Sequence, residues 1–348
     1  MMTLKQFLAK PKEIPAGVAW YLADLGEARG KQELFTRQAP QRLKVLREHA
    51  LIESAVSSNR IEGVTVDKSR IKALILGKPL LRDRDEEEVR GYRDALQSIH
   101  SRGAGLPVSQ KTIRELHRLA RGNIRDAGKY KEKDADIIER FVDGGERIRF
   151  TTVPAARTPD AMSELVGSWR DCLRERWVHP LIALAAFNLD FLCVHPFRDG
   201  NGRVSRLLLL LQCYHLGFEV GRYISLDRLI EQNKERYYET LEQSSKGRHD
   251  GRHDAWPYVG YVLYILKTAC REFEERVGQV ALPRGAKTEL VVAAVARQHG
   301  EFRVADLLTA CPGASIDLIR RVLKKMRAER KVKCLGRGQN AQWIKGGG

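Results

Sequence analysis

A twelve-residue run, His195-Pro196-Phe197-Arg198-Asp199-Gly200-Asn201-Gly202-Arg203-Val204-Ser205-Arg206, passes without a break into Leu207-Leu208-Leu209-Leu210-Leu211. The leucines read as a buried helix. Gly200, Asn201 and Gly202 then offer a tight turn with backbone N–H groups at a helix N-terminus, where an anion is naturally held. Arg203 and Arg206 are three apart, so they share one side of that helix and can grip a phosphate chain. Asp199 stands one residue before the turn, where a carboxylate can carry the divalent ion that neutralises phosphates. His195 precedes the site, with an ordinary titration near neutrality that suits a general base. Together these parts point to phosphate-transfer chemistry. A loop that merely caps a buried helix would need one polar residue rather than this set. A metal pair of His195 and Asp199 finds no third or fourth ligand at helpful spacing.

The run resembles the signature of the Fic family, His-x-Phe-x-Asp/Glu-Gly-Asn-Gly-Arg-x-x-Arg, at every defined position. The resemblance implies a mainly α fold, a Fic helical core with a β-hairpin flap, and an enzyme that moves AMP from ATP to a protein hydroxyl, releasing pyrophosphate. It further implies that His195 takes the proton of the target hydroxyl and that Asp199 holds Mg²⁺. Gly200, Asn201 and Gly202 would cradle the phosphates, Arg203 the phosphate chain and Arg206 the γ-phosphate, with Phe197 anchoring the loop. The Doc branch, which phosphorylates instead, typically has Lys where this chain has Gly202, so AMP transfer is favoured. No Walker-type Gly-x-x-x-x-Gly-Lys-Ser/Thr is present, which argues against an ordinary P-loop NTPase.

A second motif lies upstream. Ser58-Asn59-Arg60-Ile61-Glu62-Gly63 ends an amphipathic stretch from Gln41 to Glu62, in which Leu43, Leu46, Ile52 and Val56 recur at roughly helical spacing. Gly63 is a suitable stop for that helix. Ser58 and Glu62 are one turn apart, so Ser58 is expected to hold Glu62 in place. Alone, the pattern could be a plain helix end. It is similar, however, to the Fic inhibitory pattern Ser/Thr-x-x-x-Glu-Gly/Asn, which implies that Glu62 pairs with Arg206 and blocks the γ-phosphate.

Length and composition agree with a multi-domain globular chain. The 348 residues are 43% hydrophobic and 30% charged, which is ordinary for a folded soluble protein. Cys172, Cys193, Cys213, Cys270, Cys311 and Cys334 form no Cys-x-x-Cys pair, so reduced thiols are expected rather than zinc or disulfides. The apolar runs Leu181–Phe187 and Leu207–Leu211 are too short to span a bilayer, and the first residues lack the apolar core of a signal peptide. A cytoplasmic location and no membrane association are expected. The net charge of +17 is unevenly spread: from Gly285 onward thirteen Lys and Arg stand against five Asp and Glu. Such concentration suggests a module that meets a polyanion.

Three domains are expected: 1–105, an N-terminal helical region with the inhibitory motif; 106–280, the catalytic domain; and 285–345, a winged helix. The acidic run Asp83–Glu88 should open a helix. Ala135–Ile138 and Arg147–Thr151 flank a turn at Asp143-Gly144-Gly145, a hairpin signal. In the family such a flap holds the target peptide by strand addition. Tyr237 and Tyr238, on a helix Gln232–Gln243, are placed by the resemblance near the adenine ring; one core and one surface tyrosine is the plainer alternative. Trp169, Trp177 and Trp256 should pack cores, and the loop His249–Asp254 should be a solvated surface loop. After Lys287–His299 and Ala305–Ala310, Ser315 can cap a third helix running to about Arg330. Lys331–Leu335 and Ala341–Ile344 complete a wing, as in a winged helix-turn-helix. Its basic third helix would meet DNA or protein, with Arg320, Arg321, Lys324 and Lys325 in front. The expected function is an autoinhibited protein adenylyltransferase using ATP and Mg²⁺ on a target protein or on itself. The alternatives are a DNA-binding regulator whose Fic domain senses nucleotide, or an enzyme that removes AMP. Homo-oligomerisation is left open.

Overall fold

The computed structural model describes residues 1–9, 13–36, 40–122, 124–140, 145–278, 286–296, 298, 300–311, 314–336 and 341–346. The chain divides into two compact units, Met1–Val277 and Gly278–Gly348. The first begins with α1 (Thr3–Ala9), α2 (Ala16–Thr36), α3 (Pro40–Ile61), α4 (Lys68–Leu76), α5 (Arg84–Arg102) and α6 (Gln110–Arg121). A hairpin of β1 (Ile137–Arg140) and β2 (Glu146–Phe150) follows. Then come α7 (Thr158–Glu175), α8 (Pro180–Val194), α9 (Asn201–His215), α10 (Leu226–Gln232), α11 (Lys234–Ser245) and α12 (Trp256–Gly278).

The local chemistry of the helix ends explains where they start and stop. Asp83 caps α5 by accepting from Glu86 N–H, and Ser109 caps α6 by accepting from Thr112 N–H. Gly63, at φ 84°, ends the turn after α3, as its place in the sequence suggested. The apolar run of α8 is buried throughout, from Leu181 to Phe187. With α9 packed on it, α8 forms the centre of one continuous hydrophobic core. Trp169 is buried in that core, and Trp177 and Trp256 pack partly against it. The hairpin is antiparallel, with Ile138 opposite Ile148 and Arg140 opposite Glu146. The turn residues Asp143 and Gly144 lie outside the described residues.

The polar residues of α8 tie the core to distant segments. Asn188 donates from Nδ2 to Ser205 O at 2.7 Å and accepts from the Tyr258 hydroxyl at 2.6 Å, joining α8, α9 and α12. Asp190 is fully buried and pairs with Arg248 at 2.9 Å. It also accepts from Thr3 N–H at 2.7 Å and from the Thr3 hydroxyl at 2.8 Å. His253 reaches that hydroxyl at 2.9 Å. The loop 249–254 is therefore not simply a solvated surface loop. His253 is only 1% exposed, because α1 folds over it to satisfy a buried carboxylate. The six cysteines are reduced thiols, five of them buried.

The second unit contains α13 (Ala286–Ala296), β3 (Phe302–Arg303), α14 (Val304–Ala310), α15 (Ile316–Ala328), β4 (Val332–Cys334) and β5 (Gln342–Lys345). Its strands form a three-stranded sheet in the order β3-β5-β4. Ser315 caps α15 by accepting from Leu318 N–H. Ile319, Val322, Leu323 and Met326 turn inward to a small core of their own. Arg320, Arg321, Lys324 and Lys325 are exposed. Pro312, Gly313, Arg337 and Gly338, expected in turns, lie outside the described residues. Among the described residues no helix is long and apolar enough to cross a membrane.

One bond tests the helical centre. Tyr258→Phe leaves Asn188 Oδ1 buried without its donor, so equilibrium urea unfolding should show a loss of about 1–3 kcal/mol. A change below a few tenths would contradict this account.

Candidate active site

Residues 195–200 connect α8 to α9, and specific contacts hold this stretch in place. His195 closes α8 in the left-handed region at φ 52°, its N–H donating to Phe191 O at 3.0 Å. A non-glycine residue is uncommon there. Phe197 is fully buried, and its backbone is clasped at both ends by one side chain. Asn201 Oδ1 accepts from Phe197 N–H at 3.0 Å while Asn201 Nδ2 donates to Phe197 O at 2.8 Å. Gly200 turns the chain at φ 81° and begins α9, so the N–H groups of the first turn open where the sequence placed them.

His117, on α6, fixes this loop from behind and was not evident in the sequence. Its ring stacks on Phe197 at 3.8 Å between centroids and 1° between planes. Gly128 N–H donates to its Nδ1 at 2.8 Å. Nε2 must therefore carry the proton, which it donates to Asp199 O at 3.0 Å. Burial pushes the His117 pKa down to about 4, so the ring stays neutral.

Lys131 supports the other side. Its N–H donates to Pro196 O at 2.8 Å, and its Nζ reaches Thr152 Oγ1 at 2.6 Å and Val194 O at 3.4 Å. Two segments flanking His195 are thus held by one buried lysine. His195 Nδ1 lies 3.4 Å from Leu192 O, and a carbonyl can only accept, so this arrangement leaves Nε2 with a free lone pair. Burial, reinforced by the Lys131 charge, pushes the His195 pKa to about 4. The sequence suggested a histidine titrating near neutrality. The folded one is instead unprotonated throughout the neutral range, which is the form a base needs.

Three buried arginines converge on the start of α9. Arg203, 1% exposed, donates from Nη1 to Glu88 Oε2 at 2.5 Å and to Asn59 Oδ1 at 3.2 Å. Arg121 pairs through Nη1 with Glu88 Oε1 at 2.6 Å and Asp199 Oδ2 at 3.0 Å. Arg206 donates from Nη2 to Glu62 Oε1 at 2.8 Å and to Ser58 O at 2.9 Å, and from Nε to Ser58 Oγ at 2.8 Å. Asp227, itself bonded by the Tyr92 hydroxyl at 2.8 Å, lies 3.5 Å from Arg206 Nε. Ser58 was expected to orient Glu62; its hydroxyl accepts from the Arg206 guanidinium instead. Among the described residues Arg121 Nε, Arg203 Nε and Arg206 Nη1 are buried without a partner. Spare donors of this kind suit a polyanion.

Glu62 stands over the turn. A Cβ on Gly202 would collide with Glu62 Oε1 and come within 3.2 Å of Arg206 Nη1. Glycine at 202 is therefore what lets a carboxylate reach the helix N-terminus, whose partial positive charge favours it. Asp199 is a single, largely exposed carboxylate. Burial works to raise its pKa, but Arg121 and Arg203 hold it below the usual range. Among the described residues no group of three or more His, Cys, Asp and Glu could hold a metal. One carboxylate beside a phosphate turn fits Mg²⁺, which commonly keeps waters and takes its other ligands from phosphates.

Beside His195 opens a cleft of about 260 Å³, bounded by Glu62, Gly202, Leu192, Phe150, Tyr237 and Tyr238, among others. Tyr237 is 3% exposed and packs with Tyr258 and Tyr261, while Tyr238 is half-buried. The hairpin is drawn over this cleft by Arg149, which donates to Tyr238 O at 3.0 Å and pairs with Glu242 at 3.2 Å. Several of the residues missed by sequence reading sat in visible places. Asn59 lies inside the 58–63 motif, Glu88 ends the acidic run, and His117 and Arg121 are four apart on one helix face.

The first unit thus brings a glycine turn at a helix N-terminus, a neutral histidine and a two-stranded hairpin together beside one cleft. Residues 107–213 match the Fic/DOC family model. The protein adenylyltransferase Fic of Nematostella vectensis is 26% identical over 230 residues, covering 62% of this chain and 47% of that protein. The chain spans about half the length of the curated relatives it matches. A Fic family protein from Desulfovibrio desulfuricans superposes with a TM-score of 0.61 at 24% identity, covering 97% of this chain and 98% of that one. A Fic domain containing signaling protein from Bacteroides thetaiotaomicron gives 0.62 at 20%, over 74% and 98%.

The histidines predict an acid response. His100, His117 and His195 have pKa values of about 4 in the fold, against 6.5 ordinarily. Between those values the unfolded chain binds protons that the folded chain refuses. Stability is therefore full above about pH 6.5 and is lost progressively as pH falls from there towards 4. A Tm flat near neutrality and declining below about pH 6.5 is expected; a Tm unchanged down to about pH 5 would contradict it.

Proposed function

We propose that this chain transfers AMP from ATP to a hydroxyl side chain of a protein, itself included, and that Glu62 restrains the reaction. The observation that carries this reading is that neutral His195, Gly202 and Glu62 line one cleft, with buried Arg206 paired to Glu62 and Arg203 on the same first turns of α9. Its names among relatives add weight: the similar proteins are called protein adenylyltransferases.

In this reading His195 Nε2 accepts the proton as the target oxygen attacks the α-phosphorus. The new O–P bond forms as the bond to the β-phosphate oxygen breaks, and pyrophosphate departs. The N–H groups of Gly200, Asn201 and Gly202 with Arg203 take the phosphate oxygens, and Arg206 the γ-phosphate. Asp199 would hold Mg²⁺, which neutralises phosphate charge when bound. Tyr238 and the apolar cleft wall would receive the base, with Tyr237 behind it. Glu62 holds the Arg206 guanidinium and stands over Gly202, where a phosphate would otherwise approach. The hairpin would align the target segment along its strand edge.

His195→Ala should abolish incorporation of labelled AMP while nucleotide affinity is nearly kept, because the turn and arginines are untouched. Glu62→Gly should raise incorporation at least about tenfold by freeing one charge-assisted bond of Arg206. Ser58→Ala should lower it in that background, since Ser58 holds Arg206 rather than Glu62. Labelled AMP that never enters protein in Glu62→Gly would sink the transferase reading. Release of AMP from a modified protein by the native chain would turn it towards removal.

The 278–348 unit supports a winged-helix reading, with α15 as the exposed helix and β4 and β5 as the wing. Arg320, Arg321, Lys324 and Lys325 present four cations on one exposed surface, which favours nucleic acid over a protein partner. DNA affinity should fall steeply with salt, and changing Arg320 and Arg321 to Ala should flatten the slope by about two phosphate contacts. No binding at low salt would favour protein docking.

A further inference from the structure

Arg121 lies outside both sequence motifs, on α6, yet one of its nitrogens is shared between two carboxylates. Nη1 is 2.6 Å from Glu88 Oε1 and 3.0 Å from Asp199 Oδ2. A single cationic atom bridging two carboxylates occupies the position that a divalent ion takes in a dicarboxylate site. The arrangement is built rather than incidental. Arg121 is 4% exposed, and its stem lies against Gly200, where a Cβ would come within 2.9 Å of Arg121 Cδ. The second oxygen of Glu88 is taken by Arg203 at 2.5 Å, and the exposed Arg84 pairs with Glu88 at 3.0 Å from the rim.

The charges explain the consequence. Two carboxylates, Glu88 and Asp199, face two buried guanidinium groups, with Arg84 as a third cation. The cluster is therefore neutral or positive before any ion arrives. A free divalent cation would meet no net attraction there, since Arg121 already compensates the carboxylate it would approach. A divalent ion chelated by a triphosphate differs, because the chelate is net negative and brings its own ligands.

We propose that Arg121, held by Glu88, is the resident counter-cation of Asp199 and excludes divalent ions that do not arrive chelated to nucleotide. Arg121 and Glu88 are thus positioning residues for the metal carboxylate. The exclusion of free ions stands on the ion-pair geometry alone; the admission of the chelate rests on the nucleotide reading above.

The test is Mn²⁺ titration of the full chain followed by electron paramagnetic resonance, without nucleotide and with α,β-methylene-ATP, which cannot release pyrophosphate. The native chain should bind Mn²⁺ only with the analogue. Arg121→Gln should bind Mn²⁺ without nucleotide at least about tenfold more tightly than the native chain. That gain should disappear in the Arg121→Gln/Asp199→Asn double variant. Arg121→Lys, which keeps the charge, should behave as native. Glu88→Gln should act in the opposite direction, weakening Mn²⁺ in the nucleotide complex, because Arg121 then bears on Asp199 alone. Nucleotide-free binding to the native chain through Asp199 overturns the proposal. So does a folded Arg121→Gln with no gain, or a shift of both variants in the same direction, which mere loosening would produce. Should Arg121→Gln not fold, unchanged or tighter Mn²⁺ in the Glu88→Gln complex overturns it. If no variant binds the analogue, the nucleotide reading falls, and the nucleotide-free arm still decides the role of Arg121.

Discussion

Arg203 and Arg206 are buried on the first turns of α9, and a buried guanidinium without a counter-charge would cost several kcal/mol. Much of the first unit is arranged to meet that cost. Glu88 comes from α5, Asn59 and Ser58 from α3, Glu62 from the turn after α3, and Asp227 from α10. Apart from α10, these elements are far from α9 in sequence. The arginines therefore act as an electrostatic hub that fixes how the helices before α6 sit on those after α8. Burial opposes the charge of Arg206, but Glu62, the nearby tyrosines and Asp227 outweigh it and raise its pKa. Asp227 shows the reciprocal effect: burial raises its pKa even with Arg206 beside it.

The parts legible in the sequence are those whose geometry is local. The turn at Gly200, the start of α9, the burial of Phe197 and the stop at Gly63 follow from short-range rules of spacing, caps and positive φ. The hairpin was legible for the same reason. The partners of the arginines were not, because a carboxylate in an acidic run looks alike whether it faces water or a guanidinium. Glu86 and Glu88 sit two apart in one helix, and both turn inward, to Arg70 and to Arg203. Only tertiary packing chooses those directions. The same limit hid the partner of Ser58. Its distance from Glu62 along the helix was right for a bond, but Arg206 comes from another helix and takes the hydroxyl.

The histidines illustrate how burial redirects a residue that sequence alone reads as a pH switch. His195 is framed by Lys131 on one side and by the end of α8 on the other, and His117 is locked between Gly128 and Asp199. Both are held neutral chiefly by desolvation, with nearby cations adding to it. A low pKa makes His195 a weaker base in equilibrium terms. It also keeps nearly all of the population unprotonated at neutral pH, so the cost falls on driving force and not on availability. An approaching hydroxyl would meet a lone pair whose direction the Nδ1 contact with Leu192 O has already set.

A site held this tightly before any ligand arrives has a further property. In the proposed reading, the arginine donors at the site are either unpartnered, as Arg206 Nη1 is, or bound by the chain's own carboxylates and neutral oxygens. If the site takes a nucleotide as proposed, the protein's own acids stand in for it, and binding would be an exchange of anions rather than the filling of a bare cationic pocket. Exchange keeps the buried guanidinium groups compensated in both states, which the desolvation cost demands. It also makes affinity a difference between two similar interactions, so a small change in an internal acid shifts the balance in either direction. Of the two glutamates, Glu62, 28% exposed at the rim, can leave with less loss than Glu88, at 4%. That asymmetry in burial is what favours Glu62 for the restraining role proposed above, while Glu88 holds the buried arginines in place.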